Sequence, residues 1–384
     1  MNLRTIPTRL GSSFVIVVGV AGVVGVLTAL LAMAEGFEQT LTSAGAPDRA
    51  LVMRESSQSE LSSGLSQAEV DVIANAPGVA RDAAGRPIYS AEVLVVSDVP
   101  KRSTGEDANL SVRGVGLQAP ALRTNFEIIE GRMFEPGRAE LIAGRGASLE
   151  FAGLEVGDTL QARGSDWEVV GIFTTQGDAS ESEVWVDAPV AQGAFRRGNS
   201  YQSVRAKLQD ELAFAGFKAA LADDQRVKVQ VDRESDYYAS LSGGTSTSIR
   251  WFGIIVGVIM AFGAVFGALN AMYTAVSTRT AEIATLRALG FGAFSVVASV
   301  LLESLLLAGF GGVLGGLVAF ALFDGTTVST LNNGSFSQVA FAFAVTPSLL
   351  VLGVVLALIL GLLGGLLPSV RAATQPISEA LRAR

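Results

Sequence analysis

The titratable side chains of this 384-residue chain leave little scope for covalent or acid–base catalysis. Histidine and cysteine are both absent, which removes disulfides, thiol nucleophiles, Ser-His triads and His-ligated zinc together. A Ser-Lys pair could draw only on Lys101, Lys207, Lys218 and Lys228. The phosphate-cradling pattern G-x-x-x-x-G-K-S/T does not occur, so no cofactor is expected to bind directly and any ATP is expected on another chain. Two features remain. One is Glu303, a lone carboxylate inside an apolar stretch, where a charge is costly enough to mark a functional candidate. The other is the charged, periodic segment carrying Arg279, Glu282, Ile283, Leu286, Arg287, Leu289 and Gly290.

The elements that position these groups follow from hydropathy. Hydrophobic residues make up 49% of the chain and charged residues 17%, with a mean hydropathy of +0.45. Uncharged runs long enough for the ~20 residues of a membrane-crossing helix place spans at 14–34, 250–277, 294–323 and 347–367. Ala32-Met33-Ala34 mimics a signal-peptidase site, but the apolar stretch before it exceeds a signal h-region, so it reads as a retained anchor. Arg4 and Arg9, Arg279 and Arg287, and Arg371, Arg382 and Arg384 flank the spans on one side. The positive-inside rule then puts the N-terminus (1–13), the loop 278–293 and the tail 368–384 in the cytoplasm. The short loop 324–346 and the large segment 35–249 lie outside. That segment holds 20 Lys plus Arg against 32 Asp plus Glu, an acidic balance that argues against nucleic-acid binding.

Within 35–249, Ser66 and Glu69 form a capping box at the head of a short helix ending at Pro77-Gly78. Ala91–Ser97, Asp166–Phe173 and Glu183–Asp187 read as strands, Asp210–Asp224 as a helix and Arg226–Asp232 as a strand. The stretch Ser56–Ser66 reads as a mobile serine-rich loop. The fold class expected is an α-helical membrane protein with four transmembrane helices in a one-plus-three arrangement, plus an α/β extracytoplasmic domain of two lobes. Helical extensions of the first two spans would form a stalk, the second interrupted at Gly243-Gly244.

Arg279-Thr280-Ala281-Glu282-Ile283-Ala284-Thr285-Leu286-Arg287-Ala288-Leu289-Gly290, running from the second span and preceding Leu301-Leu302-Glu303-Ser304, resembles the permease domain of the FtsX/MacB family of ABC transporters. The tail Pro368-Ser369-Val370-Arg371-Ala372-Ala373 and Pro376-Ile377-Ser378-Glu379-Ala380-Leu381-Arg382 is similar to that family's ending. Glu130-Gly131-Arg132-Met133-Phe134, Gly157-Asp158 and Val169–Phe173 resemble its periplasmic core domain. The likeness covers nearly the whole chain and is weakest over 50–125. It implies a non-catalytic permease of the bacterial inner membrane, both termini cytoplasmic. The first span begins within 14 residues of the start, which resembles the split arrangement with ATP and Mg²⁺ bound in a separate ABC ATPase subunit. The resemblance further implies a second permease copy as homodimer, or a heterodimer, and mechanotransmission, in which ATPase closure moves the outer domains. An export machine would add a periplasmic membrane-fusion adaptor and an outer-membrane channel. The alternative is an FtsX-like transducer that activates a periplasmic partner such as a cell-wall hydrolase; its outer domain is typically smaller.

Physical reading of the candidates runs alongside. Ile283, Leu286 and Gly290 at i, i+3 and i+7 give one apolar or small stripe, with Arg279 and Glu282 placed to pair at i, i+3. Such a helix can dock into an ATPase groove or lie on lipid; the family likeness favours docking. Glu303 either tunes coupling through a polar contact or holds helices together by hydrogen bonds. Gly253 and Gly257, Gly263 and Gly267, Gly311 and Gly315, and Gly361 and Gly365 recur at the spacing that lets helices approach closely. The first two pairs are candidates for the dimer interface the resemblance implies, or for packing within one subunit. Arg132 and Asp158 read as structural turn and strand-end residues.

Overall fold

The structure, a computed structural model, describes residues 10–332 and 337–376. Arg4, Arg9 and the tail from Ile377 to Arg384 lie outside the described residues. The chain divides into two compact units, one of residues 1–35, 247–326 and 343–384, the other of residues 36–246 and 327–342.

The elements in chain order are α1 (Leu10–Thr42), β1 (Arg49–Arg54), β2 (Leu65–Ser66), α2 (Gln67–Ala74), β3 (Tyr89–Pro100), β4 (Asp107–Val115) and β5 (Glu127–Gly131). Next come β6 (Glu140–Gly144), α3 (Arg145–Glu150), β7 (Thr159–Ala162), β8 (Ser165–Thr174), β9 (Glu183–Asp187), α4 (Ala188–Ala194), β10 (Ser200–Tyr201), β11 (Ser203–Lys207), α5 (Ala213–Asp223) and β12 (Val229–Arg233). The chain ends with α6 (Glu234–Ser277), α7 (Thr280–Ala288), α8 (Ala293–Phe323), β13 (Thr327–Asn332), β14 (Ser337–Ala342) and α9 (Pro347–Thr374).

Helices α1, α6, α8 and α9 are each long and apolar enough to cross a membrane. At 1.5 Å per residue the 44-residue α6 is about 66 Å long, roughly twice the hydrocarbon thickness of a bilayer. It runs unbroken through Gly243 and Gly244, so the expected interruption does not occur. An exposed glycine weakens a helix by about 1 kcal/mol, a cost too small to break α6 here.

In the first unit, Ile16, Val20 and Val24 of α1 pack with Met272 of α6, Val300 and Ala308 of α8 and Ala357 of α9. The approach is close because glycines line it. A Cβ added at Gly315 would lie 2.4 Å from the Ala21 carbonyl oxygen, so only glycine lets α8 reach the α1 backbone. Ser304 Oγ donates to the Gly361 carbonyl at 2.6 Å and ties α8 to α9.

In the second unit, strands run in the order β12-β1-β11-β3-β4-β9-β6-β8-β5, with β7 paired to β8. Among the described residues, three hydrophobic clusters lie on this one network, the smallest gathering Val115, Phe134, Ile142, Phe173 and Trp185, and the two larger ones mark its two ends. One gathers Val52, Val70, Ile73, Val204, Phe217 and Leu221 under α2 and α5; the other gathers Val95, Val112, Leu141, Phe151, Trp167 and Val186. The twelve-residue β3 joins them, pairing with β11 through Tyr89–Glu92 and with β4 through Val93–Pro100. The Ser66/Glu69 capping box forms, with Ser66 N donating to Glu69 Oε2 at 2.8 Å. The segment read as a mobile loop instead carries a 3-10 turn, Glu60–Ser62, with Glu60 buried. Within 324–346, β13 and β14 form an antiparallel pair that packs on this unit: Ala340 N donates to Ser182 Oγ at 2.9 Å, and Phe341 meets Phe37 edge to face.

Candidate functional site

The connection from α6 to α8 is built around α7. Helix α6 stops at Ser277, and Arg279 takes a non-helical conformation (φ −111°, ψ 10°) before α7 begins. Its carbonyl accepts the first bond of the new helix from Ile283 N at 2.9 Å. The far end closes at Gly290, whose φ of +99° favours glycine. Gly290 N donates to the Arg287 carbonyl and Phe291 N to the Leu286 carbonyl, the paired bonds of a Schellman cap. Gly290 therefore ends the helix rather than extending a stripe along it.

The remaining residues of the stripe part company. Ala284 is buried and Ile283 half-buried against the helical core, whereas Leu286 is 42% exposed, Leu289 73% and Phe291 56%. The arrangement offers an apolar ridge, Leu286-Leu289-Phe291, at the C-terminal end of a short helix whose other side is packed. Glu282 is exposed beside it. The expected Arg279–Glu282 pair is not the one formed: Arg279 Nη1 donates to Glu303 Oε2 at 2.7 Å, with the two side chains only 11% and 18% exposed. A guanidinium largely removed from water finds a carboxylate on the neighbouring helix, and their attraction offsets part of the desolvation cost of both. At the other end Arg287 Nη1 donates to the Gln375 carbonyl at 2.7 Å, just beyond α9. Arg371 of α9 lies 5.5 Å from the Tyr273 ring of α6.

The four glycines singled out on α6 divide into two kinds. An added Cβ at Gly253 would come 3.1 Å from Leu30 Cβ, and at Gly257 2.9 Å from Leu27 Cδ1, so this pair packs on α1 within the subunit. Gly263 and Gly267 have no atom within 4 Å of an added Cβ among the described residues. They share α6 with exposed Phe262 and Phe266.

Sequence reasoning missed a second constellation. Arg113, Arg123, Arg205 and Arg49 interleave with Glu60, Glu92, Glu183 and Glu234 inside the sheet-bearing unit. Glu92 accepts from Arg113 at 2.9 Å, Arg123 at 3.1 Å and Arg205 at 2.8 Å. Glu60 accepts from Arg113 at 2.9 Å and from Ser203 Oγ at 2.6 Å. Arg205 reaches Glu234 at 2.6 Å and the Tyr238 hydroxyl at 3.1 Å, fastening the first turns of α6 to β11. Burial alone would raise the Glu60 carboxyl, but Arg113 and Arg205 outweigh it and hold its pKa at about 2. Burial opposes ionisation of Glu92 too, and Arg205, Arg123 and Arg113 keep it well below the usual carboxylate range. Arg132 binds Glu140 through two bonds of 2.8 and 2.9 Å, while Asp158 Oδ2 accepts from Glu155 N at 3.0 Å. Each is satisfied locally, as a turn or strand-end residue would be.

A helical membrane unit combined with an α/β unit built on one strand network defines a multi-pass membrane protein with a large domain outside the hydrocarbon. Residues 13–224 match the family model of the MacB-like periplasmic core domain, and residues 254–377 that of the FtsX-like permease C-terminal region. The chain belongs to the MacB/FtsX-like family of ABC transporter permeases, whose members work with ABC ATPases. It is 25% identical over 304 residues to the macrolide export ATP-binding/permease protein MacB of Hyphomonas neptunium, covering 73% of this chain and 45% of that one. It is 22% identical over 267 residues to the MacB protein of Bordetella avium, covering 64% and 39%. The chain thus spans less than half the length of these curated relatives. Among solved structures, the extracellular domain of the noncanonic ABC-type transporter YknZ from Gram-positive bacteria shows a TM-score of 0.36 at 16% identity, covering 48% of this chain and 99% of that one. The periplasmic region of MacB from Actinobacillus actinomycetemcomitans gives 0.38 at 10% identity, covering 52% and 94%.

Proposed function

We propose that this chain is the membrane subunit of an ATP-driven export or extraction machine, and that its α7 is the surface on which the ATP-binding-cassette ATPase acts. The observation that carries this reading is the exposed ridge Leu286-Leu289-Phe291 at the C-terminal end of a helix closed by a Schellman cap. Arginines at 279, 287 and 371 support a cytoplasmic location for it in a bacterial inner membrane. Hydrolysis moves α7, and the 44-residue α6 carries the motion outward, so work is done on the outer domain and substrate need not pass through the bundle. ATP and Mg²⁺ are held by the ATPase. A second copy of the permease packs against the exposed α6 face that bears Phe262, Gly263, Phe266 and Gly267. In a double-membrane bacterium a periplasmic adaptor and an outer-membrane channel complete the path. The relatives named for macrolide export make an amphiphilic small molecule a reasonable first cargo to try.

The test is Leu286→Asp in the full chain, co-expressed with its ATPase and purified in mild detergent. The variant keeps its membrane insertion and melting behaviour and loses the ATPase. Undiminished recovery of the ATPase would remove α7 as the docking surface.

A further inference from the structure

Helix α7 has nine residues, too few to hold an orientation by its own hydrogen bonds. Its direction must come from outside. Two arginines supply contacts at opposite ends: Arg279, in the break after α6, reaches Glu303 on α8 at 2.7 Å, and Arg287 reaches the Gln375 carbonyl beyond α9 at 2.7 Å. Glu303 lies ten residues into α8, nearly three turns from its start at Ala293. The next residue, Ser304, is bonded to the Gly361 carbonyl of α9. The Arg279 contact therefore ends beside a direct α8–α9 hydrogen bond.

We infer that Glu303 is a positioning residue for energy coupling: its ion pair with Arg279 fixes the α6–α7 break to the α8–α9 pair, so that a push on α7 moves the bundle instead of bending the break. The inference deepens the proposed function and rests on its assignment of α7. Neither residue belongs to the ridge itself. Arg279 and Glu303 are largely shielded, while Leu286 and Leu289 are the groups presented outward. Loss of the pair should accordingly spare ATPase binding and impair what binding accomplishes.

The experiment uses the permease–ATPase complex in nanodiscs of phosphatidylethanolamine and phosphatidylglycerol. ATP hydrolysis is followed while the ATPase is titrated onto wild type, Arg279→Glu, Glu303→Arg and the double exchange. Coupling across a contacting pair shows as non-additivity. In each single variant the maximal stimulated rate falls about tenfold, while the half-saturating ATPase concentration stays within about twofold of wild type, and the double exchange recovers at least about half of the rate. Singles that keep the full rate, or a double exchange as poor as the singles, would overturn the inference. Should a reversed charge prevent insertion, Arg279→Gln, Glu303→Gln and their combination replace the set; there the double variant must be no worse than either single. If wild type itself does not bind the ATPase, the fault lies with the docking assignment; if wild type binds and the pair is indifferent, only the role of Glu303 falls.

Discussion

Glu92 is the residue on which the buried charge cluster depends most, and Glu92→Gln tests that dependence. Its carboxylate has no exposure and accepts from Arg113, Arg123 and Arg205 at 2.9, 3.1 and 2.8 Å. Glutamine keeps the shape but removes the charge and turns an amide donor toward guanidinium donors. Four arginines would then face three carboxylates, of which only Glu183 keeps appreciable exposure. Removing one partner of a buried ion pair costs about 3–5 kcal/mol, with no discount for solvent here. For a unit of this size 1 kcal/mol shifts the melting temperature by roughly 2–4 °C, so about 4 kcal/mol lowers it by about 8–16 °C. Tryptophan fluorescence of the full chain in detergent reads this directly, because Trp167 and Trp185 are buried in the same unit and Arg123 lies 5.2 Å from the Trp185 ring. The exposed Glu130→Gln serves as control, with an expected effect within about 0.5 kcal/mol. Combining Glu92→Gln with Arg123→Gln should cost less than the sum of the two. A shift in Glu92→Gln no larger than the control's would refute the reasoning, and with it the view that this cluster fastens α6 to the sheet.

Three further outcomes follow from the same structure. Because the folded-state pKa of Glu60 is depressed from 4.5 to about 2, its stabilisation is complete above pH 4.5 and is lost as pH falls toward 2. Melting temperature should change little between pH 7 and 5, where no histidine titrates, and Glu60→Gln should make the acid limb shallower without removing it, because Glu92 is depressed as well. Gly315→Leu should reduce recovery of monodisperse protein, since its Cβ meets the α1 backbone, with overpacking on the order of 1–3 kcal/mol or more; Gly263→Leu, opening into free space, should not alter the fold of the monomer. Size-exclusion profiles in detergent separate the two. With no native cysteine, Leu212→Cys at 88% exposure should react with an impermeant maleimide on intact spheroplasts, and Leu289→Cys only after permeabilisation.

Much of this architecture was legible in the sequence because its signals are local. Apolar runs announce spans whatever they pack against, and Ser66 with Glu69 needs only a three-residue spacing to cap α2. The strands around Ala91–Ser97, Asp166–Phe173 and Glu183–Asp187 appear within a few residues of where they were expected. What stayed hidden depends on distant partners. Glu60 sits among serines and reads as loop, yet its partner Arg205 is 145 residues away. Arg279 had a plausible neighbour in Glu282, and only the return of α8 brings Glu303 within reach. The alternation in Thr327–Asn332 and Ser337–Ala342 is a strand signal within the short loop 324–346. Of the residues assigned to docking, Leu286 and Leu289 are presented outward, Ile283 faces the bundle and Gly290 caps the helix, a division that depends on where α7 ends and not on the spacing alone.

The central claim, that α7 receives the work of an ABC ATPase, is tested most directly by cross-linking. Leu289→Cys carries the sole thiol of the chain at a 73% exposed position. In membranes containing the ATPase, a short thiol-reactive cross-linker bearing a photoactivatable group should join the two chains through residue 289, with a yield that changes between ATP-bound and nucleotide-free conditions. A cysteine at 212 should give no such product. Absence of any adduct from 289 in a complex that demonstrably hydrolyses ATP, or an equal yield from 212, would contradict the account.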